Sequence, residues 1–211
     1  MTEHGIRYLV DPFQGQKTGF FLDQRDNRKL VQEFSRGRRV LNAFSYTGGF
    51  SLSALAGGAV SVDSVDVSSR ALATLDQILD LNGMKDPPHK SIEADVPVWL
   101  KTCPQGAYDL MILDPPAFAK SLHKRHNAIQ AYKRLNHEAL KLMDRGGLLF
   151  TFSCSQVVTE ELFYGTVVAA AIEAGRTVRL IRRLSQAPDH PVNLYHPEGH
   201  YLKGLLLQVE D

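Results

Sequence analysis

Cysteine, long apolar runs and net charge are all scarce in this chain of 211 residues. The only two cysteines, Cys103 and Cys154, lie far apart, which argues against a disulfide framework and fits a reducing cytosol. They have no CxxC spacing, so no structural zinc site is predicted. No apolar run reaches the roughly 18 residues of a membrane span, and the N-terminus lacks the layout of a signal peptide. We therefore expect a cytoplasmic protein without a metal or a membrane partner.

Repeats, low-complexity tracts and long linkers are also missing. The formal net charge of +1 neither requires nor excludes a nucleic-acid partner. A hydrophobic content of 44% with 22% charged residues is ordinary for a globular domain. We expect one domain over residues 39–211, preceded by an extension over residues 1–38 that holds a strand at 6–10 and a helix beginning near Asp26. No pattern indicates an oligomeric state.

Strands and helices alternate through the rest of the chain. Apolar runs predict strands at 39–44, 61–67, 90–93, 108–113, 148–152, 177–184 and 202–209. Helical patterns cover 49–56, a segment from Ser68 or Ser69 to about Asn82, 128–143 and 159–174. This alternation predicts an α/β, Rossmann-like fold, a mostly parallel sheet with helices on both faces. The last two strands have no helix between them, so we expect them to pair antiparallel.

Glycines and acids follow the first three predicted strands, where open α/β sheets bind ligands. The run Tyr46-Thr47-Gly48-Gly49 precedes a helix; its glycines allow close backbone approach, and a helix start favours an anionic group. The dinucleotide fingerprint GxGxxG is absent, which argues against NAD or FAD. Asp66 (Asp63 is less well aimed) either binds ribose hydroxyls or caps the next helix. Asp95 either accepts from an adenine amino group or is a solvated loop acid.

A second group of candidates, Asp114-Pro115-Pro116-Ala117-Phe118, follows the strand at 108–113. The prolines rigidify the turn and direct the Asp114 carboxylate outward, while Phe118 offers a ring face to a planar base. A plain strand-ending turn is the alternative. A basic stretch follows, which either tracks phosphates or is a solvated helix face: Lys120, Lys124, Arg125, Lys133 and Arg134.

Cys154 lies just past the apolar part of the next strand, between Ser153 and Ser155. It is either a small buried hydrophobe or a nucleophile. Its strand is expected to neighbour the strand that carries Asp114. A thiolate here suits methylation of a pyrimidine at C5, because C5 becomes nucleophilic only after a thiolate has added at C6. Such a thiolate needs a nearby cation. We assign no role to Cys103.

Eight segments together resemble the catalytic domain of the bacterial 23S rRNA cytosine-C5 methyltransferases. They are residues 17–25 (KTGFFLDQR), 42–50 (NAFSYTGGF), 64–66 (SVD), 114–118 (DPPAF), 151–155 (TFSCS), 190–192 (HPV), 197–199 (PEG) and 201–204 (YLKG). The resemblance implies a class I S-adenosylmethionine (SAM) methyltransferase fold, a seven-stranded sheet whose last strand is antiparallel. It further implies SAM as the cofactor, 23S ribosomal RNA as the substrate and Cys154 as the nucleophile.

The residues and the resemblance together give the expected site. Cys154 and Asp114 are expected to act in catalysis. The residues expected at SAM are Arg25, Phe44, Tyr46, Thr47, Gly48, Gly49, Phe50, Asp66, Val67, Asp95 and Asp114. Those expected at the target base or RNA are Pro115, Pro116, Phe118 and Lys120. Lys17 and Arg25 either reach the methionine carboxylate or the RNA backbone, or are surface charges.

Two other functions stay open. An amino-group methyltransferase acting on adenine or guanine would use Asp114 to Phe118 and would not need Cys154. A non-catalytic RNA-binding module could retain the SAM fold. Members of the family carry an N-terminal PUA RNA-binding domain that has no counterpart in this chain, so we expect either a shortened form or a shorter relative. The segment 190–200, with three histidines, is interpreted as a loop over the active site rather than a metal site.

Overall fold

The structure, a computed structural model, describes residues 1–13, 19–84 and 88–211. Its strands are β1 (Thr2–Glu3), β2 (Ile6–Arg7), β3 (Arg39–Ala43), β4 (Ser61–Asp66), β5 (His89–Glu93), β6 (Leu110–Leu113), β7 (Leu148–Ser153), β8 (Val178–Ser185) and β9 (Lys203–Val209). Its helices are α1 (Arg25–Phe34), α2 (Gly49–Ala56), α3 (Ser69–Asn82), α4 (Val96–Leu100), α5 (Arg125–Leu142) and α6 (Glu160–Glu173). Short 3₁₀ turns cover Leu22–Gln24, Leu122–Lys124 and Pro197–Gly199.

The chain groups into two compact units, residues 1–96 with 186–190, and residues 97–185 with 191–211. In the first unit, β3, β4 and β5 are parallel, with β4 in the middle. Val62 on β4 lies opposite Val40 on β3 and His89 on β5. The side chains of Val40, Leu41 and Val62 are fully buried, as expected for parallel strands covered on both faces.

In the second unit the strand order is β6, β7, β9, β8. β6 and β7 are parallel, and β9 runs antiparallel to both β7 and β8. Large side chains fill this interior, and several have no exposed surface, among them Met111, Ile112, Tyr132, Phe150 and Phe152.

The predicted fold class is confirmed: seven strands form a mostly parallel α/β sheet whose last strand, β9, is antiparallel. The predicted antiparallel pairing of the last two strands is also confirmed. Among the described residues, no helix is long and apolar enough to cross a membrane.

Local sequence signals located several helix ends correctly. The Ser68 hydroxyl caps α3 by accepting from the backbone N–H of Ala71, and the Thr159 hydroxyl caps α6 by accepting from that of Leu162. α3 ends at Gly83, whose φ of 65° is the left-handed geometry of a helix stop. Gly57 ends α2 where a Cβ atom would lie 2.0 Å from the carbonyl oxygen of Gln32, so only glycine fits.

Three predicted boundaries differ from the structure by two residues or more. The strand expected at 6–10 pairs only over Ile6–Arg7, because its partner β1 covers just Thr2–Glu3. The strand expected from 108 begins at Leu110, where its ladder with β7 begins. The helix expected from 128 begins at Arg125, because the 3₁₀ turn Leu122–Lys124 leads directly into it. The first turn of that helix is exposed and polar, so hydrophobic periodicity could not reveal it.

Candidate functional site

The glycine-rich loop between β3 and α2 has an unusual backbone. Phe44 and Tyr46 take positive φ angles of 61° and 48°, and Gly48 has a φ of 79°. Positive φ is uncommon and costly for residues with a side chain, and such conformations concentrate at ligand sites. The N–H of Gly48 closes the turn by donating to the carbonyl of Ser45 at 2.8 Å. The loop is therefore held in one defined shape.

The carboxylate of Asp66, at the end of β4, helps to hold that shape. Its Oδ2 accepts the backbone N–H of Tyr46 at 2.8 Å, and its Oδ1 accepts that of Ser68 at 2.9 Å. The side-chain cap of α3 is Ser68, so Asp66 is not the capping residue. Each carboxylate oxygen can accept a further bond. Asp66 thus fixes the loop while keeping acceptor capacity for a ligand.

Gly48 is required by close packing as well as by its positive φ, whereas Gly49 is favoured by close packing alone. A Cβ atom on Gly48 would lie 2.1 Å from Cδ1 of the buried Leu75, and one on Gly49 would lie 3.2 Å from Cδ of Arg28. The side chains of Thr47 and Phe50 are buried. These residues therefore shape the loop from inside the first unit.

Two other predicted cofactor residues lie beyond the ends of β4 and β5. Val67, directly after Asp66, is an exposed apolar side chain at 66% exposure. Asp95 is exposed, and the N–H of the preceding Ala94 donates to the carbonyl of Asp66 at 3.0 Å. This hydrogen bond joins the ends of β4 and β5, so that Val67 and Asp95 each directly follow a residue that takes part in it.

Arg25 has carboxylate partners within the first unit. Its Nη1 lies 2.5 Å from Asp189 Oδ2, and its Nε lies 3.1 Å from Asp26 Oδ1. A hydrogen bond from His190, aided by the charge of Arg25, lowers the pKa of Asp189. An Arg25 that serves a ligand carboxylate would therefore have to share these bonds. Lys17, its predicted companion, lies outside the described residues.

Cys154 lies in the second unit, directly after β7. β7 pairs with β6 in parallel register, with Thr151 opposite Leu113, as the crossover rule predicts. The thiol is half-buried and donates a long hydrogen bond, 3.9 Å, to the carbonyl of Pro115. The turn that begins with Asp114 and the candidate nucleophile are thus brought into contact.

Ser155 joins the same two turns. Its hydroxyl accepts the N–H of Ala119 at 3.3 Å, donates to the carbonyl of Ala119 at 3.1 Å, and lies 3.4 Å from the hydroxyl of Tyr132. Ser155 has no exposed surface. Sequence reasoning missed Ser155 and Tyr132 as parts of the site, because both are buried and their partners are distant in sequence.

The aromatic ring of Phe118 is half-buried and packs against Tyr132, with ring centroids 4.6 Å apart. Burial raises the pKa of Tyr132, so its hydroxyl stays protonated. Pro115 is buried, whereas Pro116 and Lys120 are exposed. Phe118 is therefore supported by Tyr132 and keeps part of its surface accessible.

The basic stretch is mostly on the surface. Its exposed members are Lys120, Lys124, Arg125 and Arg134. Lys133 instead forms an ion pair with Glu173, with Nζ 2.8 Å from Oε1, and so is part of the contact between α5 and α6.

Lys203 is a functional candidate that sequence reasoning did not single out. Its side chain is almost fully buried at the start of β9, and its Nζ donates to the carbonyl of Ser155 at 2.7 Å. Burial lowers the pKa of Lys203, while the charges of Cys154 and Glu160 oppose that shift. The sequence did contain a signal for this buried lysine, because Lys203 begins a strand that continues into the apolar run Leu205-Leu206-Leu207.

The segment 190–200, which contains three histidines, exposes large apolar side chains to solvent. Leu194 and Tyr195 are 94% and 90% exposed. His196 Nδ1 lies 3.3 Å from Glu198 Oε1. Across residues 1–13, 19–84 and 88–211, no three His, Cys, Asp or Glu side chains gather as a metal site would require.

Comparison with known proteins connects this geometry to a family. Residues 1–207 match the S-adenosylmethionine-dependent methyltransferase family. The ribosomal RNA large subunit methyltransferase I of Pseudoalteromonas atlantica is 46% identical over 209 residues, which are 98% of this chain and 53% of that protein. The chain therefore spans about half the length of the curated relatives it matches.

Two solved structures share the fold. A putative SAM-dependent methyltransferase from Streptococcus mutans has a TM-score of 0.86 at 28% identity, covering 98% of this chain and 54% of that one. A putative methyltransferase complexed with SAH has a TM-score of 0.84 at 29% identity, covering 98% and 55%. The matched residues, 1–207, span the loop after β3, the acid that ends β4 and the cysteine after β7. The chain belongs to the S-adenosylmethionine-dependent methyltransferase family.

Proposed function

We propose that this chain methylates C5 of a cytosine in 23S ribosomal RNA through a covalent adduct of Cys154. The observation that carries the proposal is the position of Cys154, half-buried at the end of β7 with its thiol against the Pro115 carbonyl. A cysteine that only fills the core is commonly fully buried, whereas Cys154 keeps part of its surface accessible. The names of the curated relatives support ribosomal RNA as the substrate.

The first unit has the features that SAM requires. The strained loop from Phe44 to Gly49 leads into α2, and Gly48 lets its backbone pack directly against the buried Leu75, which holds the loop in shape for a ligand. Asp66 retains acceptor capacity for the ribose hydroxyls, and the exposed Val67 suits the apolar face of an adenine. Asp95 would accept from the adenine amino group. SAM, when bound, supplies an electrophilic methyl group.

The second unit supplies the activating chemistry. The thiolate of Cys154 adds to C6 of the cytosine, forming an S–C6 bond and moving electron density to C5. After C5 has been methylated, a base removes the C5 proton, the S–C6 bond breaks and the thiolate is restored. Asp114 accepts hydrogen bonds from the N3–N4 edge, which favours protonation of N3 as charge builds up during addition.

RNA would be held by residues around the same turn. The target base is extruded and stacked on Phe118, whose ring is supported by Tyr132. Pro115 and Pro116 hold the turn rigid, and the exposed Lys120 contacts phosphate. In this proposal residues 39–211 form the methyltransferase domain, and residues 1–38 form an extension that precedes it.

The test is methyl transfer from labelled SAM to 23S ribosomal RNA by three proteins: wild type, Cys154→Ala and Cys103→Ala. Cys103, in the turn after α4, is the matched control because it is half-buried like Cys154. We expect Cys154→Ala to lose about a thousandfold or more in rate, as enzymes do when a nucleophile is removed, and Cys103→Ala to retain activity. Near-wild-type transfer by Cys154→Ala, with the methyl on an exocyclic nitrogen, would instead show an amino-group methyltransferase.

A further inference from the structure

Lys203 places a cation in the interior of the second unit. Its side chain is only 3% exposed, and its Nζ donates to the backbone carbonyl of Ser155 at 2.7 Å. Burying an ammonium group is costly unless it is bonded and has a compensating charge. One carbonyl satisfies one of its three donors and supplies no charge. A position this unfavourable calls for a compensating anion nearby.

The backbone around Lys203 fixes where its ammonium lies. β9 runs between β7 and β8, and Lys203 is opposite Ser153 on one side and Ser185 on the other. The next residue, Gly204, leaves room for Phe152, since a Cβ atom there would lie 2.5 Å from Cδ1 of that ring. The hydrogen bond from Nζ to the Ser155 carbonyl then anchors the ammonium one residue beyond Cys154.

Three ionisable groups share this environment with Lys203. Cys154 and Glu160 interact electrostatically with Lys203, and Tyr132 on α5 interacts with Cys154. Glu160 is committed elsewhere, since its Oε1 lies 2.8 Å from Nη1 of Arg183 at the surface. Tyr132 is held neutral by burial, which raises its pKa. Of these three groups, Cys154 is the one left to compensate the ammonium.

We propose that Lys203 is the positioning residue that holds Cys154 as a thiolate, through the charge of its ammonium and through its hydrogen bond to the Ser155 carbonyl. On ionisation the thiol proton passes to solvent and the long hydrogen bond from the thiol to the Pro115 carbonyl is lost, while Lys203 stays protonated throughout. A neighbouring lysine is one of the cations that stabilise a nucleophilic thiolate. The inference rests on the proposed function, in which Cys154 is the nucleophile.

The test measures the pH dependence of alkylation of Cys154 by iodoacetamide, without RNA or SAM. A Cys103→Ala background leaves Cys154 as the one reacting thiol. We expect a midpoint below the roughly 8.5 of a free cysteine. Lys203→Met should raise that midpoint by about one unit, so that the rate at pH 7 falls about tenfold. Lys203→Arg, which keeps the charge, should restore most of the difference.

Lys141→Met, at an exposed position of α5, is the matched control and should leave the alkylation curve unchanged. A parent midpoint at or above about 8.5 overturns the inference without any Lys203 variant. So does a folded Lys203→Met protein whose curve matches its parent. Either result leaves the methyl-transfer test of Cys154 intact, whereas an active Cys154→Ala protein would refute the proposed function without changing the alkylation curves.

Discussion

The hydroxyl of Ser155 forms two hydrogen bonds with one residue, accepting the N–H of Ala119 at 3.3 Å and donating to its carbonyl at 3.1 Å. Ser155 directly follows Cys154, and Ala119 ends the turn that begins with Asp114. One buried side chain thus couples the turn after β6 to the turn after β7. The relative position of the two turns, one of which carries Asp114 and the other Cys154, depends on this coupling.

Replacing Ser155 by alanine should therefore affect both stability and rate. The change leaves the buried N–H and carbonyl of Ala119 without this partner, which costs about 1–3 kcal/mol in the free energy of unfolding. Urea unfolding measures that loss, and single-turnover methyl transfer should slow by about tenfold or more because small misplacements are costly in catalysis. The exposed Ser121→Ala is the control. A destabilised Ser155→Ala protein with an unchanged rate would contradict the coupling.

Gly48 combines a positive φ with a lack of space, and the two effects can be separated. Gly48→Ala would place its Cβ atom 2.1 Å from Cδ1 of Leu75, whereas Gly83, with a φ of 65°, has no atom within 4 Å of its Cβ position. Gly83→Ala should cost about 1–2 kcal/mol from backbone strain alone. Gly48→Ala should cost about 1–3 kcal/mol more from overpacking.

The two glycine variants, Gly48→Ala and Gly83→Ala, should also differ in their affinity for SAM. Calorimetry with SAM should show clearly weaker binding to Gly48→Ala and unchanged binding to Gly83→Ala, since Gly83 ends α3 away from the loop. Equal SAM affinity for Gly48→Ala and wild type would contradict the assignment of this loop to the cofactor.

His89 should make the stability of the protein depend on pH. Its Nε2 lies 2.8 Å from the Ser64 hydroxyl, which continues to Ser51 and Asn42 in a buried chain of hydrogen bonds. Burial lowers the pKa of His89, and the carboxylates of Asp76 and Asp63 oppose the shift.

The direction in which the free energy of unfolding changes with pH follows from the shift of the His89 pKa. Because the pKa of His89 is lower in the folded protein, its contribution to stability is complete above the unfolded value of about 6.5 and is lost as the pH falls toward the folded value. Urea unfolding between about pH 7.5 and 5 should show this loss for wild type, and His89→Gln should flatten it. A steeper slope in His89→Gln would show that the sign is wrong.

The sequence predicted features that depend on neighbouring residues, and it did not predict contacts between residues that are far apart in the chain. Ser68 and Thr159 were identified as caps because their partners lie three residues away. The bonds that build the reactive turn join residues 36 apart for Ser155 and Ala119, and 48 apart for Lys203 and Ser155. No periodicity in a single sequence reports such pairs. The loop of Phe44 and Tyr46 was predicted, but its support by Asp66 depends on the register of β3 and β4.

The central claim is that Cys154 forms a bond to C6 of the target cytosine. The most direct test incubates the protein with SAM and 23S ribosomal RNA that contains 5-fluorocytidine. In this nucleotide a fluorine atom replaces the C5 hydrogen, so a base cannot abstract a proton there and the covalent adduct persists. Mass spectrometry of the digested complex should show the nucleotide on Cys154, with no adduct in Cys154→Ala. Methyl transfer to an exocyclic nitrogen without any adduct at Cys154 would contradict the account.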